Sequence, residues 1–436
     1  MKRKRNLLTK TSLSIDVCKA AINKAAKGKR KRYYVRNILT HIDTYAIRLQ
    51  KMILEETYVP TPYKYKTVIE LGKERNLAKP KFWPDQCVHH ALYEVAKDIF
   101  NNHIDPHAIS SISNRGIDMG VKLLKRWMLT NDAHKLAQVK YCVKFDIRKC
   151  YESVTPNVVM KCIKRVIKDK KYIRILERIL SLHPSLPLGN FLSSWLLNLL
   201  LRDVDNLARG YRDSKGKRVC THYIRYMDDI AIFAHSKRKL WRLFFEIKNV
   251  LSSLGLEVKR KSFAFFPTSK RAVDMLGYKF SHTGVGWRKK NLKKFKRECI
   301  RFHLGKRFSP KRAMGLLSRL ASLKRFSSRK VWEFAIKHIN IETLKAIAYP
   351  GYKKKVLKKR ADKLRRKQLR MQKLEQSKLN RMNRIVLSKI KRTSKSQYAS
   401  TVNSKLYLID SQQIQNIHMY QYGLETRKED HYERDI

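Results

Sequence analysis

Two adjacent aspartates, Asp228 and Asp229, lie between apolar segments and could bind a cation. They stand within Thr221–His235, between Tyr223–Ile224 and Ile230–Phe233. Apolar residues alternate on both sides of an Asp-containing turn, a pattern that predicts a tight β-hairpin. A single Asp in such a position is often only a turn residue. Two adjacent carboxylates repel each other unless a cation lies between them, which favours a functional interpretation.

A third carboxylate, Asp146, stands at the end of a second apolar segment. It follows Val143 and Phe145 and precedes a basic turn within residues 141–154, as expected for a strand that delivers one acidic side chain. Mg²⁺ in such sites is bound by a few carboxylates together with substrate phosphate oxygens. Two ions roughly 3.5–4 Å apart can activate an attacking hydroxyl and neutralise a departing pyrophosphate. The three aspartates therefore predict a two-metal phosphoryl-transfer site.

The order of these elements, a strand with Asp146, a helix and then the hairpin, resembles the palm of reverse transcriptases, where YMDD, here residues 226–229, is one form of the catalytic hairpin. The resemblance covers about residues 66–286 and implies an RNA-directed DNA polymerase that extends a primer with dNTPs. It also implies two Mg²⁺ ions, for which Mn²⁺ can substitute. Asp146 and Asp228 would bind both ions, and Asp229 would assist electrostatically. The implied metal-binding set is Asp146, Ile147, Asp228 and Asp229.

The residues before and just after Asp146 resemble the family's nucleotide site. A triphosphate needs Lys or Arg donors near the metals, and Arg75 and Arg115 are candidates besides the set below. Tyr151 follows Asp146 at the spacing of the family's steric gate, which leaves no space for a ribose 2′-hydroxyl; the alternative is an ordinary core aromatic. Backbone amides of residues 147–151 would cradle the triphosphate. The predicted dNTP-binding residues are Lys79, Lys81, Arg148, Lys149, Cys150, Tyr151, Leu188 and Gly189.

Leu188 lies in the stretch Leu186–Trp195, at a position where many reverse transcriptases have Gln. An aliphatic residue there resembles the enzymes of diversity-generating retroelements and some related bacterial lineages. The chain matches that pattern at Leu188, Gly189 and Ser193 but has Ser194 where those enzymes have Gln. The first predicted setting is therefore a bacterial or phage retroelement of the diversity-generating type. An antiphage-defence reverse transcriptase is the alternative.

Two segments after the hairpin resemble further palm elements. In residues 255–262, a Lys near the pyrophosphate would act as general acid; Lys261 is the predicted catalytic residue, and Lys259 is equally plausible. Residues 275–280 resemble the primer-grip hairpin, whose apolar turn holds the terminal sugar of the primer. The predicted primer-grip residues are Leu276, Gly277 and Tyr278.

The charge of the chain indicates its class of partner. Its 436 residues include 99 Lys and Arg against 35 Asp and Glu, a net charge of +64 that favours nucleic acid. The predicted nucleic-acid contacts are Arg115, Lys354, Lys358, Arg365 and Arg366. The most apolar run, Leu186–Leu201, contains Pro, Gly, Asn and Ser, which argues against a membrane span and predicts a cytoplasmic protein. The seven cysteines form no C-x-x-C pair, so reduced thiols are expected.

The elements that must position these residues predict an α+β fold. The expected architecture is a right-hand polymerase with an antiparallel palm sheet, a helical thumb and a basic helical C-terminal extension. A long helix is predicted from the Leu188 region to about Arg209. The predicted segments are 1–60 as a basic helical N-terminal extension, 61–286 as fingers and palm, 287–350 as thumb, and 351–436 as a basic helix and tail. The N-terminal basic residues form either a solvated face or a contact with template phosphates.

Three classes of function compete at this point. The leading one is the polymerase, with an RNA template, a DNA or RNA primer, a cognate non-coding RNA and a small accessory protein as partners. The second is a maturase-like RNA-binding splicing factor whose palm is a relic. The complete set of three aspartates argues against it, because a binding surface has no need of clustered carboxylates. The third, a basic structural protein, explains the charge but not the order of the motifs.

Overall fold

The computed structural model describes residues 4–70, 73–323, 325, 328–349, 368–374, 376–377 and 380. The chain divides into two units, Met1–Tyr349 and Pro350–Ile436. In the second unit residues 368–374 are helical and exposed. The predicted C-terminal nucleic-acid contacts lie outside the described residues; they are Lys354, Lys358, Arg365 and Arg366.

Three helices open the first unit: α1 (Ile15–Ala25), α2 (Tyr33–Thr40) and α3 (Ile42–Leu54). The helix α1 begins after Ser14, whose side chain accepts a hydrogen bond from the Val17 amide, a standard N-cap that satisfies one of the free donors of the first turn. One face of α1 is fully buried and packs against α3 and a later helix, α4 (Cys87–His103). These N-terminal helices therefore share one hydrophobic core with the region that follows them.

A two-stranded antiparallel hairpin follows, formed by β1 (Lys64–Glu70) and β2 (Lys73–Lys79). A short π-helical turn, Phe82–Gln86, leads into α4. Asp85 in this turn is buried, and it accepts hydrogen bonds from the Tyr58 hydroxyl at 2.8 Å and the Thr61 amide at 3.1 Å. Two helices, α5 (Ile117–Met128) and α6 (Ala133–Gln138), complete this part of the chain.

The central sheet has four strands in the order β4-β5-β3-β6, and each neighbouring pair is antiparallel. The strands are β3 (Tyr141–Asp146), β4 (His222–Tyr226), β5 (Asp229–Ala234) and β6 (Ala264–Pro267). The predicted α+β class with an antiparallel sheet is confirmed. The hairpin predicted within residues 221–235 is formed by β4 and β5.

Six helices connect or cover the central sheet. They are α7 (Cys150–Ser153), α8 (Pro156–Lys164), α9 (Lys170–Leu180), α10 (Phe191–Leu200), α11 (Arg202–Gly210) and α12 (Lys237–Ser253). The prediction of one long helix ending near Arg209 is wrong, because the backbone leaves helical geometry at Leu201 (φ −75°, ψ 0°). The second helix, α11, buries Val204, Asp205 and Ala208.

A second, three-stranded sheet is formed by β7 (Val273–Met275), β8 (Tyr278–Ser281) and β9 (Gly284–Trp287). Four helices follow it: α13 (Lys289–His303), α14 (Pro310–Leu323), α15 (Arg329–His338) and α16 (Ile341–Ala348). A second hydrophobic core joins these helices, this sheet, α5 and one face of the central sheet. No helix among the described residues has the length and apolar character needed to span a bilayer.

Candidate active site

The three predicted aspartates come together at one end of the central sheet. The register places Asp146, the last residue of β3, directly opposite Asp229, the first residue of β5. Asp228 lies in the hairpin turn after Met227, whose φ of 56° is left-handed. The Ile147 amide donates a hydrogen bond to the Asp228 carbonyl at 3.1 Å, so the turn is held against the end of β3. Strand register and a direct backbone bond thus position all three carboxylates.

The segment just before β6 also holds Asp146, from the other side. The Asp146 amide donates to Ser262 Oγ at 2.9 Å, and that hydroxyl donates to the Lys259 carbonyl at 2.8 Å. The Lys259 amide in turn donates to the Asp146 carbonyl at 2.9 Å. The amide and the carbonyl of Asp146 are therefore both held by hydrogen bonds, which fixes the point from which its side chain extends.

A lysine that the sequence reasoning missed lies among these carboxylates. Lys144 Nζ is 2.5 Å from Asp229 Oδ1 and 3.8 Å from Asp146 Oδ1. Lys259 Nζ lies 3.9 Å from Asp146 Oδ2. Asp229 Oδ1 is buried and, among the described residues, has no hydrogen-bond partner, because the Lys144 ammonium is close but badly aligned. The period-two alternation of a strand, which puts residues 144 and 146 on one face, was the available signal.

Two of the three aspartates have raised pKa values even though the Lys144 and Lys259 ammonium groups are near. Burial raises the pKa of the Asp229 carboxyl to about 6 against the opposing charge of Lys144, and the Asp146 and Asp228 carboxylates add to the rise. Burial and the Asp146 charge likewise raise the pKa of Asp228. Among the described residues, no three His, Cys, Asp or Glu side chains are arranged as a ready-made metal cluster. The orphaned Asp229 oxygen and the raised pKa values nevertheless fit a group of ligands that a divalent cation would complete.

A cleft of about 740 Å³ opens in front of Asp228. Its basic walls fit an anionic substrate. It is lined by Glu74, Arg75, Ile147, Arg148, Lys149, Cys150, Tyr151, Glu152, Leu188, Asp228, Glu257, Val258, Lys259, Arg260 and Lys261. The structure thus brings the predicted turn residues 148–151, Leu188 and Lys261 to one cleft with Asp228. Lys259 lines it as well, so both lysines remain candidates for the general acid.

Tyr151 both lines this cleft and packs against the core. Its hydroxyl is 3.3 Å from Ser194 Oγ and 3.7 Å from Met227 Sδ, next to the hairpin turn. The side chain is half-buried, and burial raises the pKa of its hydroxyl to about 12. A neutral ring fixed at this point has the position needed for a steric filter, and it also contributes to the core.

Lys79, Lys81 and Gly189 are not brought into the first cleft; they line a second cleft of about 900 Å³. The cause is a contact between distant segments, in which the Ala78 amide donates to the Leu188 carbonyl at 2.7 Å. Gly189 has φ of +100°, and a Cβ there would lie 2.7 Å from the Ala78 carbonyl oxygen. The glycine therefore permits a close approach, as predicted, but the approaching group is the β2 backbone.

The second cleft combines basic residues with aromatic rings from two parts of the first unit. Its basic lining residues are Lys24, Lys27, Lys29, Arg32, Lys64, Lys79 and Lys81. Its aromatic lining residues are Tyr34, Phe82, Trp83, His90 and Phe191. The His90 and Phe191 rings stack at 3.9 Å. Residues of the N-terminal helices and of β1–β2 thus share one basic surface.

The predicted primer grip forms a tight turn between β7 and β8. Leu276 and Gly277 both have left-handed backbone angles, with φ of 57° and 85°. Tyr278 is buried, and its hydroxyl points towards the Ser322 carbonyl in α14 at 3.4 Å. Leu276 and Gly277 are half-buried, and the side chains of both Leu276 and Tyr278 pack in or against the second core.

Arg115 was predicted to contact nucleic acid, but its guanidinium is hydrogen-bonded within the protein. Its Nη1 donates to the carbonyls of Asp105 at 2.7 Å and Ala108 at 3.0 Å, and the side chain is half-buried. Burial lowers the pKa of this guanidinium. The side chain closes the loop that follows α4, and the Asp105 carboxylate is paired with Arg209 at 2.8 Å.

Behind the hairpin lies a buried ion pair that the sequence reasoning also missed. Arg225 donates two hydrogen bonds of 2.7 Å to the Asp205 carboxylate and one of 2.8 Å to Asn198 Oδ1. The Tyr223 hydroxyl donates to Asp205 Oδ1 at 2.5 Å. Arg225 Nη1 also lies 3.3 Å from the Met227 carbonyl, at the hairpin turn. An Arg within an apolar strand was the available signal, because buried charges require partners.

Comparison with known proteins defines the class of this region. Residues 81–280 match the family model described as reverse transcriptase (RNA-dependent DNA polymerase). The three aspartates and most of the first cleft lie within this range. This stretch of the chain, 200 of its 436 residues, is therefore similar to reverse transcriptases.

Two curated proteins are similar to the chain. One is the retron Ec86 reverse transcriptase of Escherichia coli, 24% identical over 208 residues, which covers 48% of this chain and 63% of the relative. The other is the putative COX1/OXI3 intron 1 protein of Saccharomyces cerevisiae, 21% identical over 257 residues, with 46% of this chain and 30% of the relative covered. The chain thus spans less than two-thirds of either relative.

Two solved telomerase structures share a weaker likeness in fold. One is telomerase from Candida albicans in complex with a fragment of telomeric RNA, with a TM-score of 0.33 and 11% identity over 64% of this chain and 56% of that one. The other is apo telomerase from Candida tropicalis, with a TM-score of 0.39 and 12% identity over 56% and 60% of the two chains.

Proposed function

We propose that the protein is an RNA-directed DNA polymerase that extends a primer 3′-hydroxyl with dNTPs. The observation that carries the proposal is the convergence of Asp146, Asp228 and Asp229 beside a basic cleft within the stretch that is similar to reverse transcriptases. Fingers and palm are assigned to residues 61–286 and the thumb to 287–350. Two divalent cations, Mg²⁺ or Mn²⁺, would supply hydroxyl activation and charge neutralisation when bound to the aspartates and the Ile147 backbone.

The residues of the chain divide the remaining work. The cleft-lining residues Arg148 and Lys149 bind the triphosphate, while the ring of Tyr151 excludes a 2′-hydroxyl. The primer hydroxyl attacks the α-phosphorus, and the bond to the pyrophosphate oxygen breaks. Lys259 or Lys261, both in the cleft wall, then gives a proton to the departing pyrophosphate.

The second cleft supports an RNA template as the polyanionic partner. Lys27, Lys64 and Lys79 are exposed on its walls, and stacked rings lie beside them. Basic side chains next to aromatic rings are typical of surfaces that bind single-stranded nucleic acid. The same arrangement supports a second candidate function, an RNA-binding splicing factor, because RNA could bind in the second cleft without any catalysis at the aspartates.

The proposed biological setting is a bacterial or phage retroelement, first of all a diversity-generating one, with antiphage defence as the alternative. Leu188, which lines the first cleft, supports the former. A cognate non-coding RNA and a small accessory protein are the proposed partners. Sequencing the RNA that co-purifies with the chain tests this setting: one recurring non-coding RNA is expected, and an unrelated RNA pool would contradict it.

The test of the catalytic proposal is primer extension on a defined RNA by the full chain in Mg²⁺. Asp228→Ala/Asp229→Ala should abolish dNTP incorporation while RNA affinity stays within about twofold, because these carboxylates serve the metals rather than the template. The matched control, Asp98→Ala/Glu246→Ala, removes two exposed carboxylates that line neither cleft. It should extend the primer like the wild type.

Extension by the Asp228→Ala/Asp229→Ala variant at the wild-type rate would overturn the catalytic proposal. RNA binding by the wild type without any extension, under conditions in which an established reverse transcriptase extends the same primer, would favour the splicing-factor function instead.

A further inference from the structure

Lys144 occupies the place of a cation among the proposed metal ligands. It precedes Asp146 by two residues on β3, so both side chains leave the same face of the sheet. Its Nζ lies 2.5 Å from Asp229 Oδ1 and 3.8 Å from Asp146 Oδ1. The side chain is only 12% exposed. An ammonium group in this position neutralises part of the repulsion between the two carboxylates.

The contact differs from a permanent ion pair. Arg225 engages Asp205 through two aligned hydrogen bonds of 2.7 Å. Asp229 Oδ1, in contrast, has no aligned hydrogen bond to any described residue although Lys144 Nζ is near. Lys144 therefore supplies charge without the directional bonds that would commit Asp229 to it.

Space for the ammonium to leave is present beside the site. A cavity of about 150 Å³ is lined by Lys144, Ser262, Ala264, Phe266, Arg271, Ala272, Asp274 and Arg288. Asp274 provides a carboxylate on its wall, 2.7 Å from Arg288 Nε. A flexible four-carbon side chain can rotate into such a cavity without any movement of the β3 backbone.

We propose that Lys144 is a built-in counter-cation that a divalent metal ion must displace before the aspartates can bind it. Metal loading is then an exchange of one cation for another, and Lys144 sets the metal concentration at which the site fills. The inference rests on the proposed function, because it requires Asp146, Asp228 and Asp229 to be metal ligands. It adds a residue that raises the metal requirement while it stabilises the metal-free fold.

The experiment measures binding of Mn²⁺ alone to the full chain without nucleic acid, from the electron paramagnetic resonance signal of free Mn²⁺. Lys144→Met keeps the length of the side chain and removes its charge, so the Mn²⁺ dissociation constant should fall by roughly tenfold or more. Lys259→Met is the matched control. Its ammonium lies 3.9 Å from Asp146 Oδ2 but the side chain is 40% exposed, so solvent screens it and a change below about threefold is expected.

The Mn²⁺ dependence of thermal unfolding gives a second readout, which a purely structural role of Lys144 would not change. In EDTA, Lys144→Met should unfold at a lower temperature than the wild type, and saturating Mn²⁺ should reduce or reverse that difference. Lys144→Gln repeats both measurements if the Met variant does not fold. Unchanged or weaker Mn²⁺ binding in the charge-free variant would overturn the inference.

Asp228→Asn/Asp229→Asn separates the two proposals. Loss of Mn²⁺ binding in that variant, with unchanged binding in Lys144→Met, would leave the proposed function standing and remove only the exchange. Wild-type Mn²⁺ binding in the Asn double variant would contradict the metal site itself.

Discussion

The carboxylates on the two faces of the β4–β5 hairpin differ in how completely they are hydrogen-bonded. On one face Asp205 receives two hydrogen bonds from Arg225 and one from Tyr223, and the Asp205 and Arg225 side chains are fully buried. On the other face Asp229 has the Lys144 ammonium near it but no aligned hydrogen bond to a described residue. Strand alternation puts Arg225 and Asp229 on opposite sides of one hairpin.

This difference distinguishes a carboxylate with a structural role from carboxylates that can bind a metal ion. A buried charge pair with complete hydrogen bonds has one arrangement, and it can fix the backbone next to it. A group of carboxylates with incomplete bonds is costly in the empty protein, yet it leaves ligand positions for an incoming cation. We call the side with Asp205 and Arg225 the satisfied face and the side with Asp229 the unsatisfied face. Arg225 donates to the Met227 carbonyl, so the satisfied face holds the turn that positions Asp228 and Asp229.

The largest expected effect comes from breaking the satisfied pair. Arg225→Met leaves Asp205 buried without its partner and should lower the free energy of unfolding by about 3–5 kcal/mol. Asp228→Asn, in the hairpin turn, should not lower it in EDTA, because it removes a charge that repels the neighbouring carboxylates. Urea denaturation of the two variants and the wild type at pH 7 checks this contrast. Equal losses in both variants would show that the two faces do not differ as described.

The next effect is a pH dependence of the unsatisfied face. The folded pKa of Asp229, about 6, lies above its ordinary value, so the metal-free folded state holds a proton that the unfolded state releases. The stability contributed by that proton is present below about pH 4 and is lost as the pH rises through 6. Asp229→Asn should therefore gain stability relative to the wild type over this window, reaching roughly 3 kcal/mol at pH 7.

Urea unfolding in EDTA at several values between pH 4 and pH 7 measures the Asp229 effect. A constant difference between Asp229→Asn and the wild type would mean that Asp229 is ionised throughout. The same series with Asp213→Asn is the control, since the hydrogen bond from the Lys239 ammonium lowers the pKa of that loop carboxyl to about 2. That variant should show no gain in this window.

Part of this contrast was predictable from sequence and part was not. The hairpin and the strand ending at Asp146 follow from local alternation of apolar residues, and the three aspartates were placed together correctly. The Asp205–Arg225 pair joins a helix to a strand, and its partners carry no local signal of each other. The location of Lys79 and Lys81 in the second cleft has the same cause, because the hydrogen bond between Ala78 and Leu188 beside them links segments far apart in the chain.

A third effect concerns sugar choice beside the unsatisfied face. Tyr151→Ala removes the ring from the cleft wall and should reduce the preference for dCTP over CTP by about tenfold or more. Tyr151→Phe keeps the ring and loses only the hydroxyl contacts to Ser194 at 3.3 Å and Met227 at 3.7 Å, so it should retain the preference. Single-turnover incorporation on an RNA template measures both. Unchanged discrimination in the Ala variant would assign Tyr151 to the core alone.

The smallest expected effect is on fidelity. Leu188 lines the cleft with an apolar side chain, while its backbone is held by the Ala78 amide. Gln at this position would offer the nucleotide a hydrogen bond worth about 0.5–1.5 kcal/mol, or roughly twofold to tenfold in discrimination. Leu188→Gln should therefore lower the misincorporation rate by that factor in deep-sequenced cDNA. Identical error spectra would separate Leu188 from fidelity and weaken the retroelement setting.

Iron-directed backbone cleavage tests the central claim, that the unsatisfied face is a divalent-metal site. Fe²⁺ replaces Mg²⁺ in the full chain, ascorbate and peroxide generate hydroxyl radicals at the bound ion, and mass spectrometry locates the cuts. The account predicts cuts within a few residues of Asp146 and Asp228 that Mg²⁺ suppresses and that Asp228→Asn/Asp229→Asn abolishes. Cuts confined to other parts of the chain, or cuts near these aspartates that persist in the double variant, would contradict it.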